Sequence, residues 1–378
     1  MPQRVIDAVS DYLAHTNANN GGAFVTSRET EVVVLSARRA LAHILGTDDP
    51  GPIAFGPNMT TLTFFLSRAL ARTWKPGDEV IVSRLDHDAN VSPWVLAAQS
   101  VGVTVRHVDI RRDDCTLDVE DLKAKISPRT RLLALGCASN AVGTINAIKE
   151  AAEIVHDAGG QIFLDAVHYA PHAAIDVTSW NCDYLACSAY KFFGPHVGVL
   201  WGKRELMAAL PVDKVRPASD ELPDRWMNGT QNHEGIAGVL AAIDYLADLG
   251  RRVAPEVSDD RGALRIAFDS IGEYERDLSR RLLAGLAEFP DITVWGITDL
   301  ERLDERVPTV AFTHARHTPL HIAEHLAERG IFVWSGNFYA LGLTEALGLE
   351  PEGLVRIGLL HYNTAEEVDR LLEALGEL

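Results

Sequence analysis

Two predicted buried strands end in residues that could do covalent and acid–base chemistry. Lys191 follows the mostly apolar run 184–190 and precedes a Gly-Pro turn, and Asp165 ends an earlier apolar run that begins at Ile162. A lysine is rarely placed in apolar surroundings without a partner or a role, because its ammonium group loses hydration there. Burial favours the neutral amine, and a neutral amine can form a Schiff base with a carbonyl compound.

The combination of Lys191 and Asp165 has the two groups that a pyridoxal phosphate site needs. The lysine would hold the cofactor's aldehyde, and the carboxylate would keep the ring nitrogen protonated so that the ring can take up electrons. Each residue alone has an ordinary alternative. A lysine after a strand is commonly a solvated loop residue, and a strand-end aspartate commonly caps a turn or helix. The prediction therefore depends on further residues at neighbouring strand ends.

The elements that must position these residues alternate between strand and helix from about residue 53 to 203. Helical patterns between the strands include 60–72, 91–100 and 147–157, and several of the strands are continuous apolar runs. Such runs are typical of a mostly parallel sheet that is covered on both faces. The sequence predicts an α/β fold with seven strands in this sheet, at 53–55, 79–83, 103–108, 131–137, 161–167, 184–189 and 197–202.

The remaining chain predicts two flanking regions. Residues 1–45 read as a helical segment that we expect to pack with the small domain, and 46–258 form the large cofactor-binding domain. Residues 259–378 form a smaller α+β C-terminal domain, which a long helical pattern at 259–289 joins to the large one. Its strands are expected near 292–295, 309–312, 331–334 and 355–359.

Several polar residues fall at the carboxyl ends of the predicted strands, where open parallel sheets bind ligands. Met59 and Thr60 open a helix after the first strand, so amides and a hydroxyl could hold a phosphate there. The alternative is a plain helix cap. Ser188 and Tyr190 flank the lysine and offer further hydroxyls for the same phosphate.

Two more strand-end residues could contact a cofactor ring. His87 follows the second strand and could stack on the ring, and Asn140 follows the fourth strand and could donate to a ring oxygen. Their alternatives are a loop histidine and a turn residue. The order of all these residues, each at a strand end, is what favours a cofactor site.

In this order the motifs resemble fold-type I pyridoxal phosphate enzymes of the class V aminotransferase family, and in particular its cysteine desulfurase and selenocysteine lyase branch. The resemblance covers nearly the whole chain. The opening strand and small-residue loop usual in such chains are not seen before Val5. The matching segments are 86–94, 139–144, 164–168, 188–195, 228–232 and 362–369.

The resemblance implies roles for residues around the ring. Lys191 and His87 would be the catalytic residues: Lys191 would bind the cofactor and shuttle the substrate's α-proton, and His87 would stack over the ring. Asp165 would pair with the pyridine nitrogen. His168 and Asn140 would reach the phenolic oxygen.

The resemblance also implies a partner subunit and a substrate clamp. Gly229 and Thr230 would contact the phosphate in the neighbouring subunit, which implies a homodimer with shared active sites. Arg356 would hold a substrate carboxylate, for which a guanidinium is geometrically suited. The alternative for Arg356 is a surface ion pair.

One departure from the resembled branch concerns the nucleophile. Desulfurases carry a cysteine on the loop after the strand that here reads 331–336, and this chain continues with Asn337-Phe338-Tyr339. An arginine expected near Trp334 in one subgroup is also missing. These differences argue against persulfide transfer through a loop cysteine. We expect a substrate pocket rebuilt around Asn20, Trp334, Phe338 and Tyr339.

The predicted activity is a pyridoxal phosphate-dependent reaction on a small amino acid through an external aldimine. A lyase that breaks a C–S bond or eliminates another β-substituent is the first version. An aminotransferase or an amino-acid epimerase is the alternative, and a protein that binds the cofactor without turnover is a further one. The lyase, aminotransferase and epimerase reactions all share removal of the α-proton.

Composition narrows the possible partners. The formal net charge of −18 argues against nucleic acid and anionic membranes, which need a basic surface. No apolar run reaches the roughly 18 residues of a transmembrane helix, and the N-terminus has no signal-peptide pattern. The four cysteines show no metal-type spacing. We therefore expect a cytoplasmic protein without a metal site.

Overall fold

Thirteen strands are present in the computed structural model, which describes residues 1–378. They are β1 (Ala54–Gly56), β2 (Glu79–Ser83), β3 (Thr104–Val108), β4 (Ile110–Arg111), β5 (Thr116–Leu117), β6 (Thr130–Gly136), β7 (Gln161–Asp165), β8 (Tyr184–Ser188), β9 (Gly198–Gly202), β10 (Ile292–Trp295), β11 (Thr309–His314), β12 (Trp334–Gly336) and β13 (Leu354–Gly358). β4 and β5 form a separate two-stranded ribbon.

Twelve α-helices accompany them. They are α1 (Gln3–Asp11), α2 (Val25–Leu45), α3 (Met59–Ala71), α4 (Ser92–Ser100), α5 (Val119–Lys125), α6 (Ile148–Asp157), α7 (Arg204–Ala209), α8 (His233–Val253), α9 (Asp260–Leu286), α10 (Pro319–Glu328), α11 (Leu341–Leu347) and α12 (Ala365–Leu375). None of these helices is both long and apolar enough to span a membrane.

The large sheet has seven strands in the order β1-β9-β8-β7-β6-β2-β3. The pairs from β8 to β3 are parallel, while β9 runs antiparallel to both β8 and β1. The prediction of a mostly parallel seven-stranded sheet is thus confirmed. Gly136 pairs with Asp165, and Asp165 pairs with Ala186, so the carboxyl ends of β6, β7 and β8 lie side by side.

Both faces of this sheet are buried, which explains the continuous apolar runs. On β2, Ile81 packs into one apolar cluster, whereas Val80 and Val82 pack into another on the opposite face. Adjacent side chains of a strand point to opposite faces, so a strand covered on both sides is apolar along most of its length.

The smaller domain is built on a four-stranded antiparallel sheet in the order β10-β11-β13-β12. Helix α9 joins the two domains. Ala263 and Phe268 near its start belong to the large-domain core, and Leu278 and Leu282 near its end belong to the small-domain core. The first half of α9 thus packs on the large domain and the second half on the small domain. The predicted boundary between residues 258 and 259 stays a prediction.

The N-terminal segment packs differently from the prediction. α1 and α2 lie against α8, and α2 contributes Val34, Ala37 and Leu41 to the large-domain core. We expected residues 1–45 to pack with the small domain. The difference has a physical reason, because α8 presents a long surface with small side chains. A Cβ at Gly238 would come within 2.9 Å of Val9, so this glycine permits α1 to approach closely.

Candidate active site

One cavity at the carboxyl ends of the large sheet gathers most of the predicted site residues. It has a volume of about 720 Å³ and lies between the two domains. The predicted residues that line it are Met59, Thr60, His87, Asn140, Asp165, His168, Ser188, Tyr190, Lys191, Trp334, Phe338, Tyr339 and Arg356. Strand ends supply the wall of the large domain, and β12, β13 and the turn after β12 supply the opposite wall.

Lys191 reaches the cavity from a short 3-10 turn, Ala189–Phe192, which directly follows β8. The chain then reverses, with the Gly194 amide donating to the Ala189 oxygen at 2.8 Å, and returns as β9. Burial lowers the pKa of Lys191, the nearby Arg356 lowers it further, and the Asp165 carboxylate opposes both effects. A lowered pKa increases the fraction of Lys191 that is present as the neutral, nucleophilic amine.

Asp165 ends β7 with one carboxylate oxygen accepting a hydrogen bond from the Val167 amide at 2.8 Å. Burial raises the pKa of Asp165 to about 6, while the Val167 amide and the Lys191 charge act in the opposite direction. The Asp165 carboxylate forms no ion pair, because no lysine, arginine or histidine nitrogen lies within 4.0 Å of it. A buried carboxylate without a cationic partner suits the protonated ring nitrogen of pyridoxal phosphate.

Asp86 lines the same cavity, supports the end of the neighbouring strand β6, and was not assigned a role from the sequence. Its buried carboxylate accepts the Gly136 amide through both oxygens, each at 3.0 Å, and the Asn90 side-chain amide at 2.9 Å. A Cβ at Gly136 would lie 2.8 Å from the Asp86 carboxylate, so a side chain at this position would collide with it. Asp86 thus fixes the loop that carries His87.

A nearby main-chain amide holds His87 in one tautomer. The Ala89 amide donates to Nδ1 of His87 at 2.9 Å, so the ring proton lies on Nε2. Burial, together with the charge of Lys191, lowers the pKa of His87 to about 4. The neutral ring stacks against Tyr339, with centroids 5.4 Å apart and planes inclined by 24°.

The start of α3 forms the proposed phosphate end of the cavity. Asn58 caps the helix by accepting from the Thr61 amide at 2.8 Å, so the plain helix cap is present. The Met59 amide donates to the Ser188 hydroxyl oxygen at 2.9 Å, which leaves the proton of that hydroxyl free for an anion. A helix N-terminus with a free hydroxyl beside it fits a phosphate. Tyr190 lies further out and is partly exposed.

Asn140 and His168, the two residues expected at the ring oxygen, both contact the small-domain side. The side-chain amide of Asn140 donates to the Phe338 main-chain oxygen at 2.8 Å. Nε2 of His168 hydrogen-bonds the Thr309 hydroxyl at 2.8 Å. Asn140 keeps a second N–H on Nδ2, and His168 keeps its other ring nitrogen, Nδ1. Their role at the ring oxygen stays a prediction.

Arg356 on β13 faces the cavity without a carboxylate partner. Nη1 donates to the main-chain oxygen of Asn140 at 2.7 Å, and Cζ lies 4.3 Å from the centroid of the Phe338 ring. Burial lowers the pKa of Arg356 to about 10, so the group stays charged at neutral pH. No aspartate or glutamate forms an ion pair with it, which removes the alternative of a surface ion pair.

Comparison with known proteins decides the family. The model of the family described as "Aminotransferase class-V" matches residues 1–259 and 263–371. The chain belongs to this family. Curated relatives include the aminotransferase-like protein FGM3 of Gibberella zeae, 32% identical over 382 residues with 99% of this chain and 90% of that protein covered. A cysteine desulfurase of Pectobacterium atrosepticum is 30% identical over 392 residues, covering 100% and 90%.

Solved structures of class V enzymes share the fold. A cysteine desulfurase from Thermococcus onnurineus NA1, determined in its apo form, aligns with a TM-score of 0.89 at 26% identity and covers 100% of this chain and 91% of that one. The cysteine desulfurase CsdA of Escherichia coli gives 0.83 at 28% identity, with the same coverage. Membership confirms the predicted family, an enzyme of fold type I, and pyridoxal phosphate as its cofactor.

Three predicted site residues of this class V chain lie outside the cavity. Asn20 is exposed in the bend that precedes α2. Gly229 and Thr230 are exposed in the segment before α8, and Thr230 lines a neighbouring cavity of about 810 Å³. Asn20 was assigned from its position in the sequence. Sequence position does not give the distance between the N-terminal helices and the sheet.

His196 is another lining residue that the sequence reasoning missed. It borders both cavities and stacks on Tyr190, with ring centroids 5.1 Å apart and planes inclined by 25°. The signal that could have found it is its position in the turn before β9, only five residues after Lys191. A tight strand–turn–strand unit must bring such residues together.

Proposed function

We propose that this class V enzyme acts on a small amino acid whose carboxylate Arg356 holds, and that it acts as a lyase on a β-substituted substrate. The observation that carries the proposal is the cationic Arg356, which faces the same cavity as Lys191 and Asp165 and has no acidic partner in the chain. A partly buried guanidinium without a counter-ion favours an anionic ligand.

The residues around the cavity would divide the work by chemistry. Pyridoxal phosphate, when bound, supplies an electron sink for a carbanion at the substrate's α-carbon. Lys191 would hold the cofactor and then accept the α-proton at Nζ. Asp165 would bind the ring nitrogen, and His87 would pack on the ring as a neutral imidazole. Met59, Thr60, Ser188 and Tyr190 would hold the phosphate.

The cysteines support a mechanism without persulfide transfer. None of Cys115, Cys137, Cys182 and Cys187 lines the cavity, and all four are buried. Burial raises the pKa of Cys115 to about 11 and that of Cys187 to about 12. A thiol must ionise to act as a nucleophile, so buried thiols with raised pKa values are inert.

A shared active site in a homodimer is the proposed assembly. Thr230 lies too far from its own chain's cavity to line it, yet it matches the family segment expected to cross to a neighbouring phosphate. We also propose a cytoplasmic location, which agrees with four unpaired thiols.

The experiment that tests this function is a panel of amino acids added to the holoenzyme, followed by visible spectroscopy and product identification. A β-substituted amino acid should yield pyruvate, ammonia and the released substituent, and Lys191→Ala should abolish this yield. Accumulation of the cofactor's amine form with a keto acid would instead favour an aminotransferase. Inversion of the α-carbon without other products would favour an epimerase.

A further inference from the structure

The turn after β12 has an unusual backbone. Phe338 and Tyr339 adopt φ angles of 55° and 60°, in the left-handed region that residues with a Cβ disfavour. Asn337 stabilises the turn locally, with its side-chain oxygen accepting from the Tyr339 amide at 3.1 Å. Two consecutive residues in this conformation persist only where the surrounding contacts determine them.

The large domain supplies those contacts. Asn140 donates from its side chain to the Phe338 oxygen at 2.8 Å, and the Asp88 amide donates to the Tyr339 oxygen at 2.7 Å. Both successive carbonyls of the turn therefore bind donors across the domain junction. The strained backbone joins the small domain to the rim of the cavity.

Each ring of the turn covers a different functional residue. The Phe338 ring lies against the guanidinium of Arg356, 4.3 Å from Cζ, and the Tyr339 ring stacks on His87. Aromatic faces attract guanidinium groups and pack on imidazole rings, so both contacts are favourable. One turn thus touches the proposed substrate clamp and the proposed ring-stacking residue together.

The contacts of Arg356 leave one edge of its guanidinium for a ligand. Nη1 is engaged by the Asn140 oxygen, and one face is covered by Phe338. Nε and Nη2 make no hydrogen bond within the chain and are not among its buried, unpartnered polar atoms. They form the side-on pair of donors that binds a carboxylate through two parallel hydrogen bonds.

We propose that Phe338 and Tyr339 are positioning residues that act on separate parts of the site. Phe338 orients Arg356 so that its free edge meets a substrate carboxylate. Tyr339 backs His87 and keeps its ring in place for the cofactor. This inference rests on the proposed function, because it assumes that Arg356 binds a carboxylate and that His87 packs on the cofactor.

Two probes can separate the two roles without knowledge of the substrate. Aminooxyacetate and O-methylhydroxylamine both form an oxime with the bound cofactor, but only aminooxyacetate carries a carboxylate. The ratio of their rate constants in the holoenzyme, followed in the visible spectrum, therefore reports how well Arg356 meets a carboxylate. The rate of cofactor loss after dilution reports the packing on His87.

Phe338 variants that remove the ring are expected to change only the ratio of the two oxime rate constants. Phe338→Ala should lower it about tenfold, with the O-methylhydroxylamine rate within about twofold of the parent, as expected for loss of a desolvated cation–π contact. Phe338→Tyr keeps the ring and should keep the ratio. Phe338→Leu keeps most of the volume and should lower the ratio if Phe338→Ala does not fold. An unchanged ratio in a folded Phe338→Ala or Phe338→Leu protein would overturn the role of Phe338.

The Tyr339 variants are expected to show the opposite pattern. Tyr339→Ala should speed cofactor loss about fivefold or more and leave the ratio of rate constants unchanged. Tyr339→Phe keeps the ring and should lose the cofactor at the parent rate. Unchanged cofactor loss in Tyr339→Ala would overturn the role of Tyr339. If the parent itself does not prefer aminooxyacetate, and Arg356→Lys changes nothing, the proposed carboxylate clamp is wrong rather than the role of the turn.

Discussion

Nη1 of Arg356 donates a 2.7 Å hydrogen bond to the main-chain oxygen of Asn140, across the junction between the two domains. β13 thereby contacts the loop that follows β6, and the clamp residue is oriented by the opposite domain. The guanidinium remains a free cation on its other edge, since no acidic side chain pairs with it. The contact between the two domains and the orientation of Arg356 are therefore linked.

Replacement of Arg356 tests the clamp. Arg356→Ala should lower kcat/KM by a factor that corresponds to about 3–5 kcal/mol of transition-state stabilisation, because the substrate carboxylate would lose a bidentate partner. Arg356→Lys keeps the charge but not the paired donors, and should recover only part of the loss. Arg281→Lys, at an exposed arginine that pairs with Asp369, is the matched control and should leave kinetics unchanged. An Arg356→Ala enzyme with parental kcat/KM would show that the carboxylate binds elsewhere.

Removal of the cysteines tests the mechanism without a thiol nucleophile. A protein with all four cysteines replaced by alanine should retain turnover within about threefold, since the buried thiols cannot ionise at neutral pH. Each buried replacement costs some stability, so the folded fraction must be checked by thermal melting. A folded, cofactor-loaded and inactive variant would reveal a catalytic cysteine, and single replacements would identify it.

Thr230→Ala tests the shared site. If Thr230 contacts the phosphate in a partner subunit, its loss should weaken cofactor binding by about 1.5–3 kcal/mol, the value of one hydrogen bond to a charged group. Fluorescence titration of the apoprotein measures this, and Thr293→Ala on the exposed face of β10 is the control. Light scattering should give the mass of a dimer. A fully active monomer at working concentration contradicts the shared site.

The pH dependence of stability should report His361. Its Nε2 hydrogen-bonds the Tyr245 hydroxyl at 2.7 Å, and burial, with a contribution from His172, lowers the pKa of His361 to about 4. Free histidine titrates near pH 6.5, so between about pH 6.5 and 4 the unfolded chain binds a proton that the folded chain does not. The free energy of unfolding must therefore fall as pH falls through this window.

The expected contribution of His361 is about 1–2 kcal/mol, after discounting for partial exposure. His361→Gln removes the titrating group while its amide can still bond the Tyr245 hydroxyl. Urea unfolding at pH 8 and pH 5 should show a smaller difference for this variant than for the parent. Equal differences in the two proteins would mean that His361 does not contribute in this way.

The strand ends of this protein could be predicted from the sequence, because their signal is local. A continuous apolar run that stops at Asp165 or at the residues before Lys191 marks both a buried strand and its end. Parallel pairing then brings such ends together regardless of the side chains between them. This is why thirteen of the predicted site residues share one cavity.

The contacts that the sequence could not predict depend on tertiary geometry. The stacking of Tyr339 on His87 requires positive φ angles at two non-glycine residues, which no propensity favours. The amphipathic pattern of α2 indicates an apolar face but not its partner, so its packing on α8 was missed. Asn20 was placed by motif order, which carries no distances, and it lies outside the cavity.

The most direct test of the central claim is to map the residue that carries pyridoxal phosphate. The purified or reconstituted protein should be yellow, and borohydride reduction followed by peptide mass mapping should place a pyridoxyl group on Lys191. Lys191→Arg should give no label, although phosphate contacts through Ser188 and the start of α3 remain. A label on another lysine, or no bound cofactor after reconstitution, would contradict the assignment of this cavity.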